Sequence, residues 1–324
     1  RKSLTDLALY IGRRAEEGIA PDLTPIKQSY QKILNSVSDQ YKSECQRVID
    51  SFLAKAERAF FDAKETKSFA NEVRSRALAF SGEILMSSVM SYVLKSNGLK
   101  SDAASYEAWP IITDNNIEST NFLASESAER LGPLEQLVKN NEVVSIGGFI
   151  GKTPDGIETT YERGGSDRTA ADLGILFHKK YDTRIDFEKD SAVVSADPRI
   201  VTEELEDITL LSYNEARIAG MFGMKILDPI AIKEILENGV DMPIIITNMK
   251  DPNKTTTILR KSDNQNGHPL KIVTGKKNCA ILKIEILAAE ALLESLEKEK
   301  RYSEFVILSP FTKDDIEFTR ILFL

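Results

Sequence analysis

The stretch Thr159-Thr160-Tyr161-Glu162-Arg163-Gly164-Gly165-Ser166-Asp167-Arg168-Thr169-Ala170-Ala171 decides how this chain is read. Two adjacent glycines let backbone approach a ligand closely, and Ser166 or Asp167 can cap the helix that the following residues favour. A helix N-terminus attracts a carboxylate or phosphate, and Arg163 can add a two-pronged contact to a carboxylate. Asp167 is out of place beside an anion unless it binds an ammonium, holds a metal or handles a proton. An α-amino acid supplies both an ammonium and a carboxylate. Taken alone, Gly-Gly-Ser-Asp is more often a turn and a helix cap, so the surrounding sequence has to decide.

Upstream, residues 142–146 form a short β-branched run closed by Gly147-Gly148-Phe149-Ile150-Gly151, as expected of a buried strand entering a ligand loop. Downstream lie Ala196-Asp197-Pro198-Arg199 and Gly223-Met224-Lys225-Ile226-Leu227-Asp228-Pro229. Residues 170–180 read as a helix. Strands are expected at 192–195, 208–211, 225–227 and 244–247, with helices at 213–222 and 230–236. Strands separated by helices imply an α/β domain, its mainly parallel sheet sandwiched by helices.

Toward the N-terminus, apolar residues from Leu34 to Phe60 step by three or four, which predicts an amphipathic helix. Ser81 is expected to cap a second helix ending near Asn97-Gly98, which would leave Glu83 in its first turn, where an acid also favours the helix dipole. Residues 260–275 read as a linker. Beyond them a strand (278–286), a helix (288–300) and two strands (303–308, 316–323) give the β-α-β-β order of a small ferredoxin-like module. The expected division is therefore residues 1–262 and 274–324.

The 324 residues carry 42 basic and 50 acidic side chains, a formal charge of −8, which argues against nucleic acid as a partner. Cys45 and Cys279 are too few and too far apart for a disulfide framework or a cysteine metal site, so no metal ligand set is expected from the protein. With no apolar run of about 18 residues and no signal pattern, a cytoplasmic protein without a membrane partner is expected. His178 at a helix end and His268 in the linker suit solvent-facing roles better than catalysis.

The ordered set Gly148-Phe149-Ile150-Gly151, Thr159-Thr160 with Arg163-Gly164-Gly165-Ser166-Asp167 and Thr169-Ala170, and Asp197-Pro198-Arg199 resembles the aspartate kinases. Ser81-Gly82-Glu83 is similar to that family's Ser-Gly-Glu and Ile112-Thr113-Asp114 to its Thr-Asp element, so the resemblance spans about residues 75–260. The tail, Val273-Thr274-Gly275 and then residues 280–284, resembles entry into the family's regulatory ACT module, here incomplete. The resemblance implies the amino-acid kinase fold and ATP-dependent phosphorylation of the side-chain carboxylate of L-aspartate, with Mg²⁺ accompanying the nucleotide. It implies that Arg163 holds an aspartate carboxylate and that Glu83 and Asp167 orient the amino acid. Gly164, Gly165 and Ser166 would line the same pocket, with Asp167 as the catalytic member. Asp190, Arg199, Gly223 and Lys225 would contact the nucleotide. A feedback amino acid at the ACT module and a homodimer or larger homo-oligomer are further implications.

The chain departs from the family in places. The opening Lys-Phe-Gly-Gly-Thr-Ser loop is absent from these residues, which begin at Arg1, and Leu4-Thr5-Asp6 resembles a segment beyond that loop. Either the homologue is truncated and inactive, or segments are left out. The abrupt strand-to-helix step at Ile286-Leu287-Ala288 favours the second. In residues 188–199, Lys189, Ala192 and Val194 replace the family's Asp, Gly and Tyr, and Asp190 takes the acid's role only if one residue has been deleted. The competing readings are an amino-acid sensor without catalysis and another amino-acid kinase acting on glutamate or a nucleotide.

Overall fold

The computed structural model describes residues 3–162, 165–224, 226–261, 271–298, 305–314 and 316–323. Within it the chain forms two compact units, Arg1–Lys179 and Lys180–Leu324. Each is described by itself.

The first unit opens with α1 (Leu4–Glu16), started by a capping box in which Ser3 and Asp6 exchange side-chain and backbone hydrogen bonds, followed by α2 (Thr24–Leu34). The helix expected at 34–60 is displaced. The chain breaks after Leu34, with Ser38 extended, and then runs as α3 (Asp39–Thr66), burying Cys45, Ile49, Leu53, Ala56, Phe60 and Ala63 along one stripe. Lys67 in the left-handed region ends it.

A second long helix is continuous from Asn71 to Ser96. It comprises α4 (Asn71–Leu78), a π-helical turn (Ala79–Glu83) and α5 (Ile84–Ser96). Ser81 therefore does not cap a helix start; its hydroxyl donates back to the Ala77 carbonyl at 2.6 Å inside the helix. An 18-residue window here has a mean hydropathy of 1.4, enough by length and composition to cross a membrane, yet two thirds of it is buried within the protein, as expected of a core helix. Tyr30, Phe60, Leu85, Trp109, Ile111 and Ile150 pack together in that core.

Next come β1 (Ser101–Ala103), α6 (Ala124–Glu129), α7 (Gly132–Asn140), β2 (Val143–Ser145), β3 (Ile150–Lys152), β4 (Glu158–Thr160) and α8 (Gly165–His178). β1 pairs in parallel with β2, and β3 with β4 as an antiparallel hairpin.

The second unit holds β5 (Ile185–Lys189), β6 (Leu210–Ser212), α9 (Tyr213–Met221), α10 (Pro229–Glu237), β7 (Ile244–Asn248) and β8 (Asp251–Leu259). The sheet order is β5-β7-β8-β6, with parallel outer pairs and an antiparallel β7–β8 centre. Together the units give the mixed α/β architecture expected. The strand expected at 192–195 is not formed; Val194 makes one isolated bridge to Asp207. That segment carries a proline and a charge pair just downstream, which favour a loop. Ile226 and Leu227, placed in a strand by the sequence reading, lie in a bend. Two strands not anticipated, β5 and β8, take their place.

Last come β9 (Ala280–Glu285), α11 (Ile286–Lys298), β10 (Phe305–Lys313) and β11 (Ile316–Phe323), an antiparallel sheet in the order β10-β11-β9. This is the expected β-α-β-β module. Part of the expected linker, including His268, lies outside the described residues. Val273 bridges to Ala196 and donates to the Ser195 carbonyl at 2.8 Å.

Candidate functional site

In the first unit the site assembles around Gly147 and Gly148. A Cβ on Gly147 would stand 2.7 Å from the Glu83 carbonyl oxygen, and a Cβ on Gly148 would stand 3.0 Å from the Cβ and Oγ of Ser166. The two glycines are thus wedged between the π-turn and the start of α8: a side chain at 147 would force the backbone to shift, and one at 148 would press on Ser166. This brings Glu83 and Ser166, about eighty residues apart in sequence, against one loop.

The loop is locked. Phe149 adopts φ +69°, a conformation rare for a bulky residue, and its N–H donates to Thr169 Oγ1 at 2.9 Å. The Thr169 hydroxyl in turn donates to the Gly165 carbonyl at 3.2 Å. Gly165 is pressed onto Tyr161, whose Cβ would lie 2.2 Å from an added Cβ, and the Tyr161 hydroxyl donates to Asp172 at 2.5 Å.

Glu83 is not in a helix first turn, so a favourable dipole does not account for it. Among the described residues its carboxylate has no hydrogen bond and no ion pair, and burial holds its pKa above the ordinary carboxylate value. A desolvated carboxylate of this kind is stabilised by a cation. π-Turns recur at functional sites. The turn is braced by Tyr30, whose hydroxyl donates to the Ser81 and Gly82 carbonyls at 3.0 and 3.2 Å. Sequence reasoning passed over Tyr30, which lies in no motif, and gave Thr169 no role although the quoted pattern contains it. Asp167 sits half-buried in the first turn of α8 and Ser166 is exposed beside it. Arg163 and Gly164 lie outside the described residues.

The second unit contains a cavity of about 200 Å³. Its apolar wall includes Val193, Met224, Ile226 and Ile246, and its polar rim includes Lys189, Asp197 and Arg199. An apolar slot beside cations suits a flat heterocycle carrying phosphates. Arg199 is a lining residue as expected, but its guanidinium grips Asp197, with Nε 2.9 Å from Oδ1 and Nη2 2.5 Å from Oδ2. Asp190 is exposed and does not line the cavity, although its neighbours Lys189 and Ser191 do. Gly223 takes φ +97° after α9, with Gly223 N–H donating to Gly220 and Met224 N–H to Ala219. It stops the helix and turns Met224 into the cavity wall. Lys225 lies outside the described residues. Asp228 caps α10 by accepting the Ile230 N–H at 2.9 Å. The apolar wall was missed because Met224 and Ile246 read as ordinary core.

Among the described residues no cluster of three or more His, Cys, Asp or Glu side chains is placed to hold a metal ion.

Comparison with known proteins sets these two sites in context. Residues 29–248 match the model of the amino acid kinase family. An aspartokinase of Rickettsia felis is 32% identical over 212 residues, covering 64% of this chain and 49% of that protein. A chloroplastic bifunctional aspartokinase/homoserine dehydrogenase of Arabidopsis thaliana is 29% identical over 279 residues, covering 79% and 29%. The chain thus spans about half the length of the first relative and under a third of the second. In fold it is similar to E. coli aspartokinase III in complex with aspartate and ADP, with a TM-score of 0.70 at 20% identity over 99% of this chain and 70% of that one. The match to the family model takes in both the glycine wedge and the apolar cavity, and on that extent the chain belongs to the amino acid kinase family.

Proposed function

We propose that this protein transfers the γ-phosphoryl group of ATP to the side-chain carboxylate of L-aspartate, giving 4-phospho-L-aspartate and ADP. The observation that carries the reading is the desolvated Glu83 carboxylate, without a partner among the described residues, on a turn whose backbone packs against Gly147 while the adjoining Gly148 packs against Ser166 at the start of the helix that carries Asp167. An α-amino acid ammonium is the cation that such a site would stabilise. Similarity to aspartokinases, one of them solved with aspartate and ADP, supports aspartate as the acid.

In this reading Glu83 and Asp167 hold the ammonium and Arg163 takes a carboxylate, while Gly164, Gly165 and Ser166 line the pocket. The substrate carboxylate is the nucleophile: its oxygen bonds to the γ-phosphorus as the β–γ bridging bond breaks and ADP leaves. The protein's work is alignment and charge neutralisation. The cavity of the second unit takes the nucleotide, with Arg199 and Lys225 toward the phosphates and the Gly223 turn presenting Met224. Asp190, which does not line the cavity, has no assigned contact in this reading. Mg²⁺ would come with the nucleotide, held by its phosphates and one or two carboxylates, and would neutralise charge on the transferring group.

The same reading assigns residues 1–262 to the catalytic domain and residues 274–324 to part of an ACT module that takes a feedback amino acid. It makes the protein a cytoplasmic homo-oligomer that begins the route to lysine, threonine and methionine. The test is direct. Full-length protein with ATP, Mg²⁺ and aspartate should release ADP and form a product trapped as a hydroxamate by hydroxylamine. Turnover of glutamate or UMP with aspartate inert would overturn the proposal.

A further inference from the structure

Behind the Glu83 turn lies a polar and aromatic assembly that the proposed reaction does not use. Phe80, buried within the π-turn, meets the Tyr106 ring edge-on, with centroids 4.9 Å apart, and the Phe52 ring of α3 at 5.9 Å. The Lys55 ammonium, also from α3, stands over all three rings at 5.1 to 5.4 Å. Such edge-on and cation–π contacts depend on geometry, so together they fix where the Phe80 ring can lie.

Tyr106 is itself tied down at three points. Its hydroxyl donates to the Glu158 carboxylate, its carbonyl accepts from Lys152 Nζ, and that ammonium stands 3.5 Å above its ring. Lys152 and Glu158 face each other across the β3–β4 hairpin and are 8% and 5% exposed, so neither charge is solvated away. Glu158 also accepts from Arg76 Nε of α4 at 3.2 Å. The assembly thus grips the helix at two points, Arg76 before the π-turn and Phe80 within it. π-Turns are rare single-turn bulges within α-helices, and this one is packed against by Tyr106 and Phe52 through Phe80.

We propose that Tyr106 is a positioning residue for Glu83: held by Lys152 and Glu158, it clamps Phe80 and so fixes the turn that aims the Glu83 carboxylate at the substrate ammonium. This rests on the reading of Glu83 as the ammonium-binding residue. Tyr106 touches no substrate. Its effect is on aspartate binding and not on the nucleotide.

The experiment uses full-length protein, with steady-state kinetics and calorimetric titration of L-aspartate. Tyr106→Leu should raise the aspartate KM and Kd by about fivefold, the loss of one edge-on aromatic contact, and leave the ATP KM unchanged. Tyr106→Phe keeps the ring on Phe80 and should stay within about twofold of wild type. In the double variant Tyr106→Leu/Glu83→Gln, aspartate binding should be no weaker than in Glu83→Gln alone, because one residue acts through the other.

An unchanged aspartate KM in Tyr106→Leu, an equal rise in both KM values, or multiplicative losses in the double variant would each overturn the proposal. If Tyr106→Leu does not fold, Lys55→Met keeps every ring and should raise the aspartate KM by about twofold; no change there overturns it equally. A silent Tyr106→Leu beside a damaging Glu83→Gln sinks the positioning role alone. A silent Glu83→Gln sinks the ammonium reading and the positioning role with it.

Discussion

The glycine wedge of the first unit and the apolar cavity of the second solve recognition in opposite ways. The wedge is made of close backbone approach, with Gly147 against the Glu83 carbonyl and Gly148 against Ser166, and among the described residues it leaves the Glu83 carboxylate without a partner. The cavity is walled by side chains from a loop, a helix end and a strand, and its Arg199 and Asp197 already satisfy each other. The wedge therefore carries stored electrostatic cost that a ligand relieves, whereas the cavity offers shape and a charge pair in equilibrium with water. Substitutions should be felt far more sharply in the wedge.

The largest effect is expected at Gly147. Gly147→Ala puts a methyl 2.7 Å from a backbone oxygen that cannot swing away, so the π-turn must shift. We expect aspartate kcat/KM to fall by roughly a hundredfold, read in the coupled ADP assay, while circular dichroism shows a folded protein. An activity loss under threefold would mean the wedge does not set the geometry of Glu83.

Next comes the price of the buried carboxylate. Because burial raises the folded-state pKa of Glu83 above its unfolded value, the ionised form opposes folding at neutral pH, and that penalty disappears below the unfolded pKa, where both states are protonated. Glu83→Gln should therefore raise Tm at pH 7 by roughly 2–4 °C in unliganded protein, and the gain should shrink as pH falls through the ordinary carboxylate range. A variant less stable at pH 7 would show that Glu83 is not under strain.

In the cavity, Met224→Ala removes one apolar wall residue and should raise the ATP KM by about five- to tenfold without changing the aspartate KM. The smallest effect belongs to Asp197→Asn. Arg199 of this pair is exposed and Asp197 half-buried, and an ion pair open to water contributes about 0–1 kcal/mol, so the ATP KM should move by less than about threefold. A tenfold change would make the Asp197–Arg199 pair part of nucleotide recognition itself.

Legibility from sequence divides along the same line. The wedge was readable because glycines in Gly147-Gly148 and Gly164-Gly165 announce close backbone approach, and Ser166 and Asp167 announce a helix start. What the sequence did not disclose was the π-turn: Ser81 before an apolar run looks like an N-cap, and only packing against Tyr30, Phe52 and Tyr106 lets the helix run through it. In the second unit, β5 alternates buried Ile185 and Phe187 with exposed Asp186 and Glu188, a visible signal that was passed over. β8 gave no such signal. Asp251, Pro252, Asn253 and Lys254 read as loop, and the strand exists because β7 pairs with Asp251 and with Thr255 to Ile258 while β6 pairs with Thr257 to Leu259. The cavity's apolar wall was hidden for the related reason that a methionine or isoleucine lining a ligand site looks in sequence like one filling a core.

The central claim is that Glu83 recognises a substrate ammonium, and the most direct test compares L-aspartate with succinate, which keeps both carboxylates and lacks the amine. In calorimetric titrations of full-length protein at pH 7, wild type should bind aspartate at least about tenfold more tightly than succinate, and Glu83→Gln should erase that preference by weakening aspartate alone. A Glu83→Gln protein that still prefers aspartate by the wild-type margin would contradict the account.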